Sequence, residues 1–265
     1  MDLAAKELRD PYRLRLAFRG GFDIASTARL APGHVQGNLV IVPAAFAHDF
    51  EAYCHANPKP CPLLGKSEAG RPTMEHLGRD LDIRTDLARY RVWRDGRVVA
   101  EPSDIRDLWR DDLVAFVLGC SYSFEQALDE AGVRLKHWER GENPPYYATN
   151  IDTDARGPFH GKLIVSMRAL SPADAIRAVE ITARYPTVHG APVHIGFPEL
   201  IGIDDLTRPA GGDPMELAPQ ELPVFWACGV TPENALANAR LPLAITHKPG
   251  AMVVTDLLNS SLERR

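Results

Sequence analysis

The sequence predicts an α/β protein of two subdomains with mixed sheets, the second built from strand–helix–strand units in a two-layer sandwich. Three observations predict it. Apolar runs of strand length alternate with segments of helical composition. Two of the later helical segments open on Ser-Pro or Thr-Pro, a cap followed by a residue whose missing N–H costs nothing in the first turn. Between the elements, 22 prolines and 20 glycines punctuate the chain, as many short elements joined by turns require.

Taken in order, Ala31-Pro32-Gly33 marks a turn, residues 35–42 read as a strand, and Pro43 stops it. Residues 44–56 have helical composition and end at Asn57-Pro58, before the proline-rich loop 57–65 (NPKPCPLLG). Residues 90–100 (YRVWRDGRVVA) carry the clearest hairpin signal, because Asp95-Gly96 can supply the positive backbone angles of a two-residue turn. Ser103 is placed to cap a helix running through Ile105, Leu108, Leu113 and Phe116 toward Gly119. A second helix is expected over 124–131, with Ser123 and Gln126 at capping-box spacing.

Beyond a soft boundary at 141–145 (GENPP), residues 162–167 form a strand candidate and Ser171-Pro172 opens a helix that Tyr185-Pro186 ends. Residues 192–197 and 223–228 read as strands, Thr231-Pro232 opens a further helix, and 243–246 and 251–255 complete the pattern. This places an N-terminal subdomain at 1–140 and a C-terminal one at 141–265, with a discontinuous division left open.

The net charge is −5 with both signs interspersed. The basic stripe of a nucleic-acid binder is missing. Apolar runs fall far below the roughly 20 residues that span a bilayer, and the charged N-terminus lacks the apolar stretch of a secretory signal. The expectation is a cytoplasmic protein with free thiols and with neither nucleic-acid nor membrane partners; a homo-oligomer is compatible with it. Cys54, Cys61, Cys120 and Cys228 form no pair at metal-ligand spacing. No phosphate-loop, dinucleotide, HExxH or nucleophile-elbow motif occurs. No metal or cofactor is expected.

Chemistry is sought at helix starts, where free N–H groups and the helix dipole attract carboxylates and oxyanions. Residues 119–125 (GCSYSFE) lead from an apolar run through Cys120, Ser121 and Ser123 into a helix. Residues 227–232 (ACGVTP) repeat the arrangement with Cys228, Gly229 and Thr231. Each turn reads either as a plain cap with a small buried cysteine or as a donor-rich anion site. Thr231 is expected to cap its helix. In 189–196 (HGAPVHIG), His189 and His194 flank an apolar strand, and either can carry protons near neutrality or serve structure. Arg168 can grip a carboxylate in a two-point contact or form a salt bridge. Asn150 can orient a substrate or cap a turn. His247 lies in another polar turn, and Gln36 and Asn38 interrupt an apolar strand and need partners if buried.

These segments together resemble the hydro-lyase family that includes the bacterial YcsI-type proteins and the cyclase portion of D-glutamate cyclase. Blocks in consistent order carry the resemblance: GHVQGNLVIVP from Gly33, NPKPCPLLG from Asn57, DIRTDLARYRV from Asp82, LVAFVLGCSYSFE from Leu113, HGAPVHIG from His189, PVFWACGVTP from Pro223 and ITHKPG from Ile245. The resemblance implies two α/β subdomains and lyase chemistry on a carbon–oxygen bond. The related cyclase converts D-glutamate to 5-oxo-D-proline with loss of water. Transferred here, Arg168 would anchor a small carboxylate-bearing substrate, His189 or His194 would move protons, and the two cysteine turns would supply donors. Ala148, Phe197 and Ala251 stand where the family pattern leads one to expect arginine, aspartate and histidine. Two other readings remain: a small-acid binding protein without turnover, and an amidohydrolase or transferase using Cys120 or Cys228.

Overall fold

The computed structural model describes residues 7–264. Helix α1 (Pro11–Arg19) opens on Asp10, whose carboxylate accepts the Arg13 N–H at 2.9 Å, with Pro11 in the first turn. Strand β1 (His34–Pro43) is buried from Val35 onward, and Pro43 hands the chain to α2 (Ala44–Ala56). Then follow β2 (Leu63–Lys66), β3 (Tyr90–Arg94), β4 (Arg97–Ala100) and β5 (Leu113–Gly119). Asp95 and Gly96 take φ of 48° and 77° in the β3–β4 turn, so the hairpin forms as its sequence dictates.

Helices α3 (Tyr122–Glu130) and α4 (Lys136–Arg140) lead to β6 (Tyr146–Asp152) and β7 (Lys162–Leu170). Helix α5 (Pro172–Thr182) is capped by Ser171, whose hydroxyl accepts the Asp174 N–H. Strands β8 (His194–Ile195) and β9 (Leu222–Ala227), helix α6 (Thr231–Ala239), and strands β10 (Ala244–His247) and β11 (Val253–Leu258) complete the chain.

The strands form two sheets. The larger has the order β2-β5-β1-β10-β3-β4, with β11 also on β1; the smaller has the order β6-β7-β9-β8. The α/β class and two-sheet organisation agree with the sequence. The sheets themselves are antiparallel at every strand pair among the described residues, not mixed. The second expected strand–helix–strand unit does not close within one sheet either. α6 leaves β9 of the small sheet and delivers β10 to the large one, where it pairs with β1 and β3. A division at residues 140/141 is therefore crossed by the large sheet.

Alternation along β1 sorts its side chains. Leu39 and Ile41 face a core with Ala115, Val117 and Ile245, while Val40 and Val42 face one with Phe50, Phe116 and α6 residues Ala235 and Leu236. The small sheet likewise packs Trp226 against α3 and α5 on one face and Phe225 with Met167 on the other.

Three local expectations are corrected. The helix expected from Ser103 toward Gly119 is one 3-10 turn at Arg106–Leu108 followed by β5, a buried strand between β1 and β2. A short apolar run buried on both faces has no helical period to show, and pairing with two neighbours decides it. The Ser123–Gln126 capping box is absent: the Ser123 hydroxyl accepts the Gln36 N–H, and Gln126 Oε1 accepts the Gly33 N–H. Residues 192–197 shrink to the two-residue strand β8.

Candidate active site

β1 changes partner midway. Gln36 and Gly37 pair with β11, and Val40 and Ile41 pair with β10. The β10–β11 turn fills the break, and a cavity of about 370 Å³ opens there, lined by both sheets. The large sheet contributes Asn38, Arg91 and His247, and the small sheet contributes Tyr146 and Ser166. The chain leaving β5 adds Cys120, Ser121 and Tyr122, the chain leaving β9 adds Cys228, Gly229 and Val230, and the loop after α5 adds His189. The two cysteine turns therefore meet, as do His189 and His247.

Asn38 braces both turns. Its amide donates to the Gly119 carbonyl at 2.7 Å, and it lies so close to Gly229 that any Cβ there would collide with it. Glycine at 229 is thus a requirement of close approach. The backbone N–H groups of Ser121 and Gly229 bond no backbone carbonyl among the described residues. Those of Tyr122 and Val230 face the Cys120 and Cys228 sulfurs. Two helix N-termini thus border one space.

The two histidines differ in tautomer by virtue of their partners. Nδ1 of His189 is 2.8 Å from the Lys59 carbonyl, so it carries the proton and leaves the Nε2 lone pair. Nδ1 of His247 accepts the Leu39 N–H at 3.2 Å, the shorter contact compared with the Leu39 carbonyl at 3.4 Å, so its proton sits on Nε2. Burial brings each down to about 4, so both are neutral at pH 7, one an acceptor and the other a donor. Burial also pushes the Cys120 thiol up to about 12 and raises Cys228. All four cysteines are free, and these two are protonated at neutral pH, which makes them weak nucleophiles.

Arg91 is the one cationic side chain besides histidine in the lining, and no Asp or Glu lines it. Its Nε donates to Glu101 at 3.0 Å and its Nη1 to Glu233 at 3.0 Å. Nη2 has no partner among the described residues. Burial raises the Glu233 carboxyl to about 7, outweighing the pull of Arg91. The raised pKa means that the stabilising protonated form is fully populated below about 4.5 and is lost as pH rises through about 7. Glu233→Gln is accordingly expected to remove that slope: from about pH 5 to pH 8 the melting temperature of the parent protein falls relative to that of the variant. Parallel curves would refute this.

Arg168 does not reach the cavity. Its side chain is 1% exposed and is held by Glu125, through Nη2 and through Nε at 3.2 Å. Nη1 donates to the Ser166 hydroxyl, and Nη2 to the Ser121 hydroxyl at 2.9 Å. It cannot serve as the carboxylate anchor; it positions two hydroxyls that line the cavity. Burial alone would raise the Glu125 carboxyl, but His137 and Arg168 outweigh it and bring it down to about 2.

Four other expected residues stand apart from the cavity. Ser123 is buried on Gln36. Thr231 is the first residue of α6 rather than its cap, and its hydroxyl accepts the Ile164 N–H and donates to the Cys228 carbonyl at 2.8 Å. His194 lies on the edge strand β8 with its ring against the Phe197 carbonyl, in register with Phe225 and Met167 and so on the sheet face opposite Ser166. Asn150 is exposed on the other edge strand, β6. Ala148 and Phe197 are also exposed, and Ala251 is buried between the lining residues Gly250 and Met252. Sequence reading missed Arg91, Asn143, Tyr146 and Ser166. A hairpin arginine and an alternating serine carry no local mark of function, and only the strand order brings them here.

Among the described residues no group of three or more His, Cys, Asp or Glu side chains is placed to hold a metal ion. No helix there is long and apolar enough to cross a membrane.

The model of the D-glutamate cyclase family matches residues 114–256. A protein of Bradyrhizobium diazoefficiens named "Putative hydro-lyase" is 59% identical over 248 residues, covering 94% of this chain and 91% of its own length. Proteins of the same name from Bordetella petrii and Bordetella pertussis are 58% and 60% identical over 251 residues, covering 95% of this chain and 95% and 91% of their own lengths.

Proposed function

This chain belongs to the D-glutamate cyclase family, and on that premise we propose that its inter-sheet cavity eliminates water from a small amino or hydroxy acid, with D-glutamate as the leading substrate. The observation that carries the reading is the convergence of two helix N-termini and a half-free arginine on a cavity without a carboxylate. Such a space attracts an acid.

Arg91 Nη2 takes the α-carboxylate. The Ser121 and Gly229 N–H groups, with the Ser121 and Ser166 hydroxyls, receive the side-chain carboxylate and the charge that builds on its oxygen during attack. His189 Nε2 accepts a proton from the ammonium group, which frees the amine to attack the side-chain carboxyl carbon. His189, as the imidazolium, returns that proton to the departing oxygen and relays the second in the same way, while His247 Nε2–H donates a hydrogen bond to that oxygen. Two protons leave nitrogen and two arrive on that oxygen, so a C–N bond forms, a C–O bond breaks, and water leaves without net proton release. An anion in the cavity favours protonated His189 and raises its basicity toward neutrality.

The test is incubation of the protein with D- and L-amino acids and hydroxy acids, following loss of water by mass spectrometry. Turnover of at least one acid is expected; binding without product on every member would favour the small-acid binding reading. Arg91→Met is expected to weaken the acid that is turned over by about 10–100-fold, the value of a hydrogen bond to a charged group. Unchanged affinity by calorimetry would remove Arg91 from the site.

A further inference from the structure

The loop before β2 begins with an amide that is bonded at both its oxygen and its nitrogen. Asn57, buried at the end of α2, donates through Nδ2 to the Tyr53 carbonyl and to the Asp154 carbonyl, both at 2.9 Å, and its Oδ1 accepts the Asp154 N–H at 2.9 Å. Asp154 lies in the connection between β6 and β7. One side chain thus ties α2, which packs on the large sheet, to the small sheet. The Asn57 carbonyl accepts the Cys61 N–H at 3.0 Å and closes the turn 57–61.

Pro58 and Pro60 lie inside that turn and Pro62 follows it, and each proline fixes its own φ. The turn is therefore stiff, and its orientation is set at its two ends. Asn57 anchors one end. The other is anchored where the Pro62 carbonyl accepts the Gly119 N–H at 2.8 Å. Between them lies Lys59, whose carbonyl accepts Nδ1–H of His189 at 2.8 Å. That is the one hydrogen bond of the His189 ring among the described residues. The His189 backbone sits at φ 85°, ψ −18°, a left-handed conformation that residues other than glycine seldom adopt. Its loop rests on Gly119, where any Cβ would collide with the Thr187 carbonyl. A neutral imidazole has two tautomers, and only the one with Nδ1–H leaves the Nε2 lone pair.

We propose that Asn57 is a positioning residue of the active site. By clamping the turn 57–61 it holds the Lys59 carbonyl on His189 and so decides which ring nitrogen keeps the lone pair. The effect on turnover rests on the elimination proposed above; the effect on the ring does not.

The experiment is nitrogen NMR of the histidine rings in isotope-labelled protein at pH 7, without substrate, on the parent, Asn57→Ala and Asn57→Asp. His189→Ala protein identifies the His189 signals, and burial keeps that ring neutral at this pH. Asn57→Asp retains the acceptor for the Asp154 N–H and loses both donations, and so covers the case in which Asn57→Ala does not fold. The control is Tyr53→Phe, which removes the bond from the Tyr53 hydroxyl to Thr153 Oγ1 across the same joint and leaves the turn alone. The expected result is a single Nδ1–H tautomer in the parent and in Tyr53→Phe, and a mixture of both tautomers in the Asn57 variants. With whichever acid is turned over, kcat should fall about 10–100-fold in the Asn57 variants with KM little changed, as a small misplacement of a reacting group brings. Folded Asn57→Ala or Asn57→Asp protein with the pure Nδ1–H tautomer of the parent would overturn the proposal, as would the same mixture in Tyr53→Phe. A mixture with unchanged kcat would leave it standing and count against the proton transfer assigned to His189.

Discussion

Arg168→Ala is expected to lower the stability of the fold by about 3–5 kcal/mol, the cost of leaving a buried charge without its partner. Glu125 is fully buried, and its carboxylate rests on Arg168, His137 and the Trp138 N–H. Removing the guanidinium strips Glu125 of a cation and frees the Ser121 and Ser166 hydroxyls at once. Urea unfolding should show the loss as a lower midpoint with little change in slope. Arg168→Met combined with Glu125→Leu should recover much of it, since a buried pair replaced by apolar residues of similar size is often neutral. A loss below about 1 kcal/mol for the single variant would mean that the ion pair is not buried as described. The carboxylate of Glu125 adds a pH window of its own. Held down at about 2, it stabilises above the ordinary value of 4.5, and that contribution is lost as pH falls toward about 2.

His189→Ala is expected to lower turnover by about 100-fold or more, the usual worth of a positioned proton carrier. The Lys59 carbonyl fixes its Nδ1–H and so presents the Nε2 lone pair to the cavity. Its low value of about 4 places the acid limb of kcat/KM near that pH, well below the ordinary imidazole range, since this parameter reports the free enzyme. A variant with full turnover, or an acid limb near the ordinary 6.5, would assign the proton transfer to another group. His194→Ala should leave turnover essentially unchanged, because that side chain sits at the sheet edge on the Phe197 carbonyl.

What the sequence makes legible is local. α2 occupies residues 44–56 because Pro43 stops β1 before it and Asn57-Pro58 ends it. The hairpin turn follows from Asp95-Gly96, and α5 from Ser171-Pro172. The two cysteine turns are readable for the same reason, as strand-to-helix corners, and the structure brings them together. Roles that depend on a distant partner are not legible. Arg168 and Glu125 are 43 residues apart, and Arg91 and Glu233 are 142 apart. From sequence the first arginine resembles a free anchor and the second carries no mark of function; in the fold the first is locked on Glu125 and the second lines the cavity. β5 is misread as helix because a run buried on both faces has no period to show.

In the proposed function, residues from both sheets build one centre around a small acid. A crystal structure of the protein with bound 5-oxo-D-proline, or with the product of whichever acid it turns over, tests this most directly. The predicted result is density in the inter-sheet cavity, with the carboxylate on Arg91 and with His189 and His247 on either side of the ring nitrogen and the former side-chain carboxyl carbon. A product seated elsewhere, with Arg91, Cys120, His189 and Cys228 untouched, would contradict it.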